Sequence, residues 1–377
     1  MTIVGTRPEL IRLSVILKKL DIYCDKHILV DTRQNKQYEM SDIFYQELGI
    51  RAADYSIRRT SSTSLGHQLG ETFSQLEDII KAEKPDKVLI LGDTNTSLCA
   101  LLVARMGIPV FHMEAGNRCF DDRVPEEVNR KVIDAVSSYN MPYTEISKQN
   151  LLKYGFPKNK IFVTGNPIFE VIRYYEDKID KSTIFKTLGI KTKQIKTSFV
   201  TSRKIANPGY ILVTCHRSET VDSSERFTEI IDALVELSKT HKIIYPIHPR
   251  SISNLNSWHT DATLYHKLKQ AVVLCDPLGF IDFITLEKYA TLILTDSGTV
   301  QEEACILKVP SVIMRDSMER PEVAESGGCM VAGVNCSNIL KAARIMLDSK
   351  RDWDIPIGYH DCNVSDKITQ FLLGNQL

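Results

Sequence analysis

The chain lacks an excess of charge of either sign. Its 377 residues hold 47 basic and 47 acidic side chains, a formal net charge of +0. That excludes long-range attraction to nucleic acid or to anionic membranes, and neither is expected as a partner. No apolar run reaches the length of a membrane span, and no secretory pattern opens the chain. A cytoplasmic protein is therefore expected. There is no C-x-x-C pair. The nine cysteines are odd in number, and Cys99, Cys215 and Cys275 lie in or beside apolar runs. Reduced, partly buried thiols fit this better than disulfides or zinc. Neither G-x-G-x-x-G nor a Walker A loop is present, which disfavours NAD and ATP. No His/Cys/carboxylate group has metal spacing, so no metal and no cofactor are expected. Internal repeats and low-complexity segments are also missing.

What is present is a soluble globular composition, 43% hydrophobic and 25% charged, long enough for two cores. In the first half, strands are read at Met1–Val4, His27–Asp31, Lys87–Leu91, Ile108–His112 and Ile161–Val163. Because the first strand begins at Met1, a few residues are expected upstream of it. Amphipathic helices such as Ser64–Lys81 and Glu126–Ala135 alternate with these strands, which predicts a doubly wound parallel sheet. A polar, lysine-rich stretch, Lys178–Lys204, leads to a second run of alternation. Its strands are Tyr210–Cys215, His241–Ile247, Ala271–Cys275, Thr291–Leu294, Pro310–Met314 and Met330–Gly333. The expectation is an α/β chain of two Rossmann-like domains facing across a cleft. The first spans 1–167 and the second 168–358, and a final helix within 359–377 packs back on the first. Clefts between domains are favoured ligand sites.

The charged motifs fall where strands end, which is where open α/β sheets bind ligands. His112-Met-Glu-Ala-Gly-Asn-Arg-Cys-Phe120, followed by Pro125-Glu-Glu-Val-Asn-Arg130, carries the densest set. It offers Glu114 and Glu126 for acid/base work, and Arg118 for an anionic substrate. The first turn of a helix also suits Glu126 without any chemistry. Asp93, in Gly92-Asp-Thr94, is either a helix cap, the commoner role, or a third rim carboxylate. Gly5-Thr-Arg-Pro-Glu9 joins a strand to a helix start, where free N–H groups and Arg7 suit a phosphate. In the second half, His216-Arg217 and His248-Pro-Arg250 put two His/Arg pairs on one rim, a pattern suited to a diphosphate. Asp296-Ser-Gly298 begins a helix with its N–H groups available, and Glu303 lies two turns on, placed to hold ribose hydroxyls.

Taken together, these segments resemble the non-hydrolysing UDP-N-acetylglucosamine 2-epimerase family. Gly5-Thr-Arg-Pro-Glu9, Gly92-Asp-Thr94, Glu114-Ala-Gly116, Pro125-Glu-Glu-x-Asn-Arg130, His216-Arg217, His248-Pro249, Asp296-Ser-Gly298, Gln301-Glu-Glu303 and Glu319-Arg-Pro-Glu322 run in the family's order. The resemblance implies a GT-B-like architecture, a homodimer and a UDP-sugar substrate. It is closest to the branch forming UDP-N-acetyl-L-fucosamine for surface polysaccharides such as capsule or O-antigen. The segments His112–Asp121, Asn140-Met-Pro-Tyr-Thr-Glu145 and Asn363-Val-Ser365 mark that branch. Two positions depart from the UDP-N-acetylglucosamine enzymes: Arg12 stands for a lysine, and Thr32-Arg-Gln34 for Thr-Gly-Gln. Gln34 and Gln37 match glutamines of the family's allosteric site.

By the same resemblance, UDP is eliminated to leave a 2-acetamidoglycal and is then re-added. Asp93, Glu114 and Glu126 serve as acid and base, and His216 acts beside the leaving group. Arg7, Arg12, Arg217, His248 and the Ser297-Gly298 turn bind the substrate anion. Phe283 lies at the uracil, Glu303 at the ribose and Arg320 at the rim. The other readings are a UDP-N-acetylglucosamine 2-epimerase making UDP-N-acetylmannosamine, and a GT-B glycosyltransferase.

Overall fold

Six short strands between Thr2 and Met141 form one parallel sheet. They are β1 Thr2–Val4, β2 Leu29–Asp31, β3 Tyr55–Ser56, β4 Val88–Leu91, β5 Val110–Met113 and β6 Tyr139–Met141. The computed structural model describes residues 1–34, 38–58, 60, 64–190, 209–258 and 263–374. Gln37 and the end of the lysine-rich stretch lie outside them. A second parallel sheet holds β7 Tyr210–Thr214, β8 Lys242–Pro246, β9 Val273–Cys275, β10 Leu292–Thr295, β11 Ser311–Ile313 and β12 Cys329–Val331. The strand orders are β3-β2-β1-β4-β5-β6 and β12-β11-β10-β7-β8-β9. Read from its far edge, the second order repeats the first. This is the doubly wound α/β plan, in which the strand order reverses between β1 and β4 and again between β7 and β10.

Burial on both faces explains the apolar runs. In β7, Ile211 and Val213 join a core with Phe227, Ile230 and Leu234. Their neighbours Tyr210 and Leu212 join another with Leu286, Ile293 and Ala304. In the first sheet, Ile3, Val30, Ile90 and Val110 pack with Leu76, Ile80, Val103 and Ile133.

The chain divides into two compact units, Met1–Tyr175 with Ile357–Leu377, and Glu176–Pro356. The expected boundaries, 167/168 and 358/359, sit a few residues away. The helix Ile168–Tyr174 packs on the helix Arg7–Tyr23 and so joins the first unit. The helix Val364–Leu373 packs on Arg7–Tyr23 as well. One expected strand fails: Ile161–Val163 makes a single bridge, Ile161 to Asn140. Its place in the sheet order is taken by β6, whose central Asn140 hid it from an apolar-run reading. No helix among the described residues is long and apolar enough to cross a membrane.

Candidate active site

In the first unit the charged residues gather at the carboxyl ends of β1, β4 and β5. Gly5, after β1, is there because nothing larger fits. A Cβ would stand 2.1 Å from both Thr32 Oγ1 and Thr96 Oγ1. The N–H groups of Gly5 and Thr6 donate to Glu9 Oε2 at 2.6 and 3.2 Å, and Thr94 donates to Glu9 Oε1 at 2.6 Å. Glu9 therefore ties the turn after β1 to the turn after β4. Its burial pushes its pKa up to about 7, against the pull of these donors. The expected phosphate turn thus already holds an anion of its own. Arg7 is half-buried beside the Phe44 ring, 5.8 Å away, and burial lowers its pKa.

Asp93 is not a helix cap, since Leu98 occupies that position for the next helix. Its Oδ2 accepts from Arg130 Nε at 2.8 Å, with Nη2 2.7 Å away, and Asn129 holds its backbone carbonyl at 2.8 Å. Arg130 also donates to the buried Glu127 at 2.9 Å, and Glu127 accepts the N–H of Cys119 at 3.0 Å. Glu126 sits half-buried in the first turn of the helix Pro125–Val136, as read from sequence.

Glu114 follows β5 with φ +67°, a left-handed conformation unusual for glutamate. Its carboxylate accepts from Arg12 Nη1 at 3.2 Å and from Asn117 Nδ2 at 3.3 Å. Arg12 was expected to bind the substrate anion. Its side chain is 1% exposed, and it serves here as the counter-ion of Glu114 while lying over the Tyr143 ring. Removing one member of such a buried pair costs roughly 3–5 kcal/mol. Arg118, also expected to bind the substrate anion, is likewise held internally: its side chain, 0% exposed, is bound to Asp134 at 2.6 Å. Gly116 approaches so closely that a Cβ would meet the Ser147 carbonyl at 2.3 Å. Gln34 accepts from both the N–H and the hydroxyl of Thr96 at 3.0 Å.

The second unit places its cations at the ends of β7 and β8. Buried Asp296, after β10, accepts the N–H groups of His216 and Arg217, each at 2.8 Å, and so shapes the turn that presents both side chains. These remain accessible, at 39% and 23%. The His248 ring lies 6.2 Å from that of His216, so the two expected histidines do meet. Ser297 precedes the helix Gly298–Ile306, with its own N–H on Thr295 Oγ1 at 2.9 Å. Arg320 is buried against Glu302, and Arg315 donates to Glu319 at 3.1 Å. Phe283 is half-buried beside the core that contains Tyr210. Glu303 neighbours Glu287, whose acidity is suppressed first by burial and then by Glu303.

Sequence reading passed over Asp134 and Glu287 and took Glu127 for part of a solvated helix face. Each lies inside a helix, where an isolated acid looks like part of a solvated face. Their signal was position beside apolar neighbours, such as Ile133 next to Asp134.

Comparison with known proteins agrees with this layout. The family model described as UDP-N-acetylglucosamine 2-epimerase matches residues 21–373. The UDP-N-acetylglucosamine 2-epimerase of Methanocaldococcus jannaschii is 41% identical over 94% of either chain. The UDP-2,3-diacetamido-2,3-dideoxy-D-glucuronate 2-epimerase of Pseudomonas aeruginosa is 32% identical over 99% of this chain and 98% of its own. The M. jannaschii enzyme, solved with UDP-GlcNAc and UDP, superposes with a TM-score of 0.88 at 37% identity, covering 98% of both chains. WaaG, a glycosyltransferase involved in lipopolysaccharide biosynthesis, shares the fold alone, at a TM-score of 0.58 and 12% identity. With a family match along nearly its whole length and a relative this similar, the chain belongs to the UDP-N-acetylglucosamine 2-epimerase family.

Proposed function

We propose that this isomerase inverts C2 of a UDP-N-acetylhexosamine without hydrolysis, by eliminating UDP to a 2-acetamidoglycal and adding it back. The C2 hydrogen has no adjacent carbonyl, so its direct removal would leave an unstabilised carbanion. Ionising the C1–O bond while a base takes the C2 proton avoids that. The observation that carries the reading is the pairing of Asp93 and Glu114. They follow adjacent strands, and each is held by its own buried arginine, Arg130 and Arg12. With Glu126 they supply an acid and a base for opposite faces of a ring. His216, Arg217, His248 and the Ser297-Gly298 turn hold the departing diphosphate, where charge develops. Glu303 takes the ribose and Phe283 the uracil.

The finer reading is the conversion of UDP-2-acetamido-2,6-dideoxy-L-talose to UDP-N-acetyl-L-fucosamine. It is supported by three of the positions that set this branch apart, Arg12, Asn117 and Tyr143, which meet around Glu114. Arg12 and Asn117 bond its carboxylate, Tyr143 lies under Arg12, and Ser147 donates to Asn117 at 2.7 Å. The second reading, interconversion of UDP-N-acetylglucosamine and UDP-N-acetylmannosamine, is favoured by the M. jannaschii relative. A cytoplasmic homodimer supplying surface-polysaccharide synthesis goes with the first. Proton NMR in deuterium oxide with a panel of UDP-sugars tests both. An epimerase exchanges the C2 hydrogen with solvent, whereas a glycosyltransferase does not. Higher kcat/KM for the L-talose/L-fucose pair is expected. Equal or better efficiency with UDP-N-acetylglucosamine overturns the branch, and no exchange with any sugar overturns the epimerase reading.

A further inference from the structure

Asp134 is a fully buried carboxylate of the first unit and belongs to none of the motifs above. It sits near the end of the helix Pro125–Val136 with its side chain 0% exposed. Its Oδ2 accepts from Arg118 Nη2 at 2.6 Å and from the Gly116 N–H at 3.3 Å. Its Oδ1 lies 3.0 Å from His112 Nδ1. The far nitrogen of that imidazole, Nε2, meets the carbonyl oxygen of Gly92 at 3.0 Å. A carbonyl only accepts, so Nε2 is the donor of that bond.

These contacts lead to two places. Gly92 is the residue before Asp93, and its φ of +77° sets the direction in which the chain leaves β4. Gly116 lies two residues beyond Glu114, in a loop that Arg118 also fastens by donating to the Asn117 carbonyl at 2.7 Å. One buried carboxylate therefore fastens the turn that carries Glu114 directly, through the Gly116 N–H, and lies against His112, whose ring donates to the carbonyl that precedes Asp93. In a buried interior such a network keeps a single arrangement, because each broken link strands a buried polar group.

We propose that Asp134 is a positioning residue for the epimerisation, fixing Asp93 and Glu114 relative to one another through the links His112–Gly92 and Gly116–Asn117. The proposal rests on the functional reading above. Small misplacements of reacting groups cost roughly tenfold to a hundredfold in rate. The residues proposed for the nucleotide, His216, Arg217 and His248, belong to the other unit.

The test is a set of double-mutant cycles in the full-length enzyme. Asp134→Asn is expected to lower kcat at least about tenfold. KM and UDP affinity by calorimetry should stay within about twofold, a change worth less than 0.5 kcal/mol. Its loss should shrink strongly in an Asp93→Asn or Glu114→Gln background, because it acts through those groups. His112→Asn keeps Asp134 with Arg118 and cuts only the first link. It should be non-additive with Asp93→Asn and additive with Glu114→Gln. If Asp134→Asn does not fold, the His112 cycles decide alone. Retained kcat, or losses that multiply in every background, overturns the proposal. Wild-type C2 exchange is measured alongside; its absence defeats the functional reading, and its presence with additive cycles defeats only this one.

Discussion

At the scale of single residues, the rim carboxylates carry the sharpest expectations. Asp93→Asn, Glu114→Gln and Glu126→Gln should each lower turnover by roughly a hundredfold or more, the usual cost of losing acid/base help. Steady-state rates with the preferred UDP-sugar measure it, and near-normal activity in all three removes the assignment. On the nucleotide side, His216→Ala or Arg217→Ala should reduce kcat more than UDP affinity, because diphosphate charge grows in the transition state. Equal losses in rate and in calorimetric affinity would make them simple binding groups. Glu9 gives a pH signature. Burial raises its pKa to about 7 from 4.5, so folding favours its protonated form. The stability it allows is full below pH 4.5 and declines as pH rises toward 7. Glu9→Gln should flatten the change in melting temperature across that window, and an unchanged slope would contradict the assignment. The places of Glu114, after an apolar strand, and of Glu126, opening a helix, were legible in the sequence, whereas Asp93 read more readily as a helix cap. Asp134 was not legible, because the pattern Val-Ile-Asp-Ala resembles any helix interior. Its role depends on His112 and Arg118, 22 and 16 residues upstream, folding back to it. Arg12 was read as a substrate ligand from the family resemblance and Arg118 from its place after a strand; the ion pairs of both, with Glu114 and Asp134, come from distant segments of the chain.

At the scale of elements, apolar runs exposed ten of the twelve strands, as buried parallel strands do. β3 is two residues long, Tyr55–Ser56, and too short and polar to register. Ile161–Val163 failed for the opposite reason, being apolar because Phe162 packs, with ring centroids 4.1 Å apart, on Phe371 of the C-terminal helix. That helix is anchored in several ways. Phe371 also meets Tyr139 edge-on at 5.3 Å, and the buried Glu170 accepts the N–H of Ser365 at 2.7 Å. Phe371→Ala should destabilise the first unit by roughly 2–4 kcal/mol through the lost packing. Chemical denaturation followed by far-UV circular dichroism would show it, and a midpoint within error of wild type would mean the helix is dispensable.

At the scale of the whole molecule, two units of the same topology are given different tasks by their rims. The first holds carboxylates and the second holds cations and a helix N-terminus. UDP alone should therefore be read mainly by the second unit. At about 100 times its Kd it adds about 2.7 kcal/mol to the folded state. Amide exchange should slow around Cys215–Ser218 and Asp296–Thr299, with little change at Gly92–Thr94. Equal slowing in both units would contradict that division. The return of the C-terminal helix to the first unit also has a consequence in time. Residues 176–356 are made between the first unit's main body and the helix that completes it. At about 5–20 residues per second, synthesis leaves that body incomplete for roughly ten to forty seconds. During that interval Phe111, Tyr139 and Phe162 lack their aromatic cover. The nascent chain thus presents a sticky face until the helix Val364–Leu373 is made and covers it.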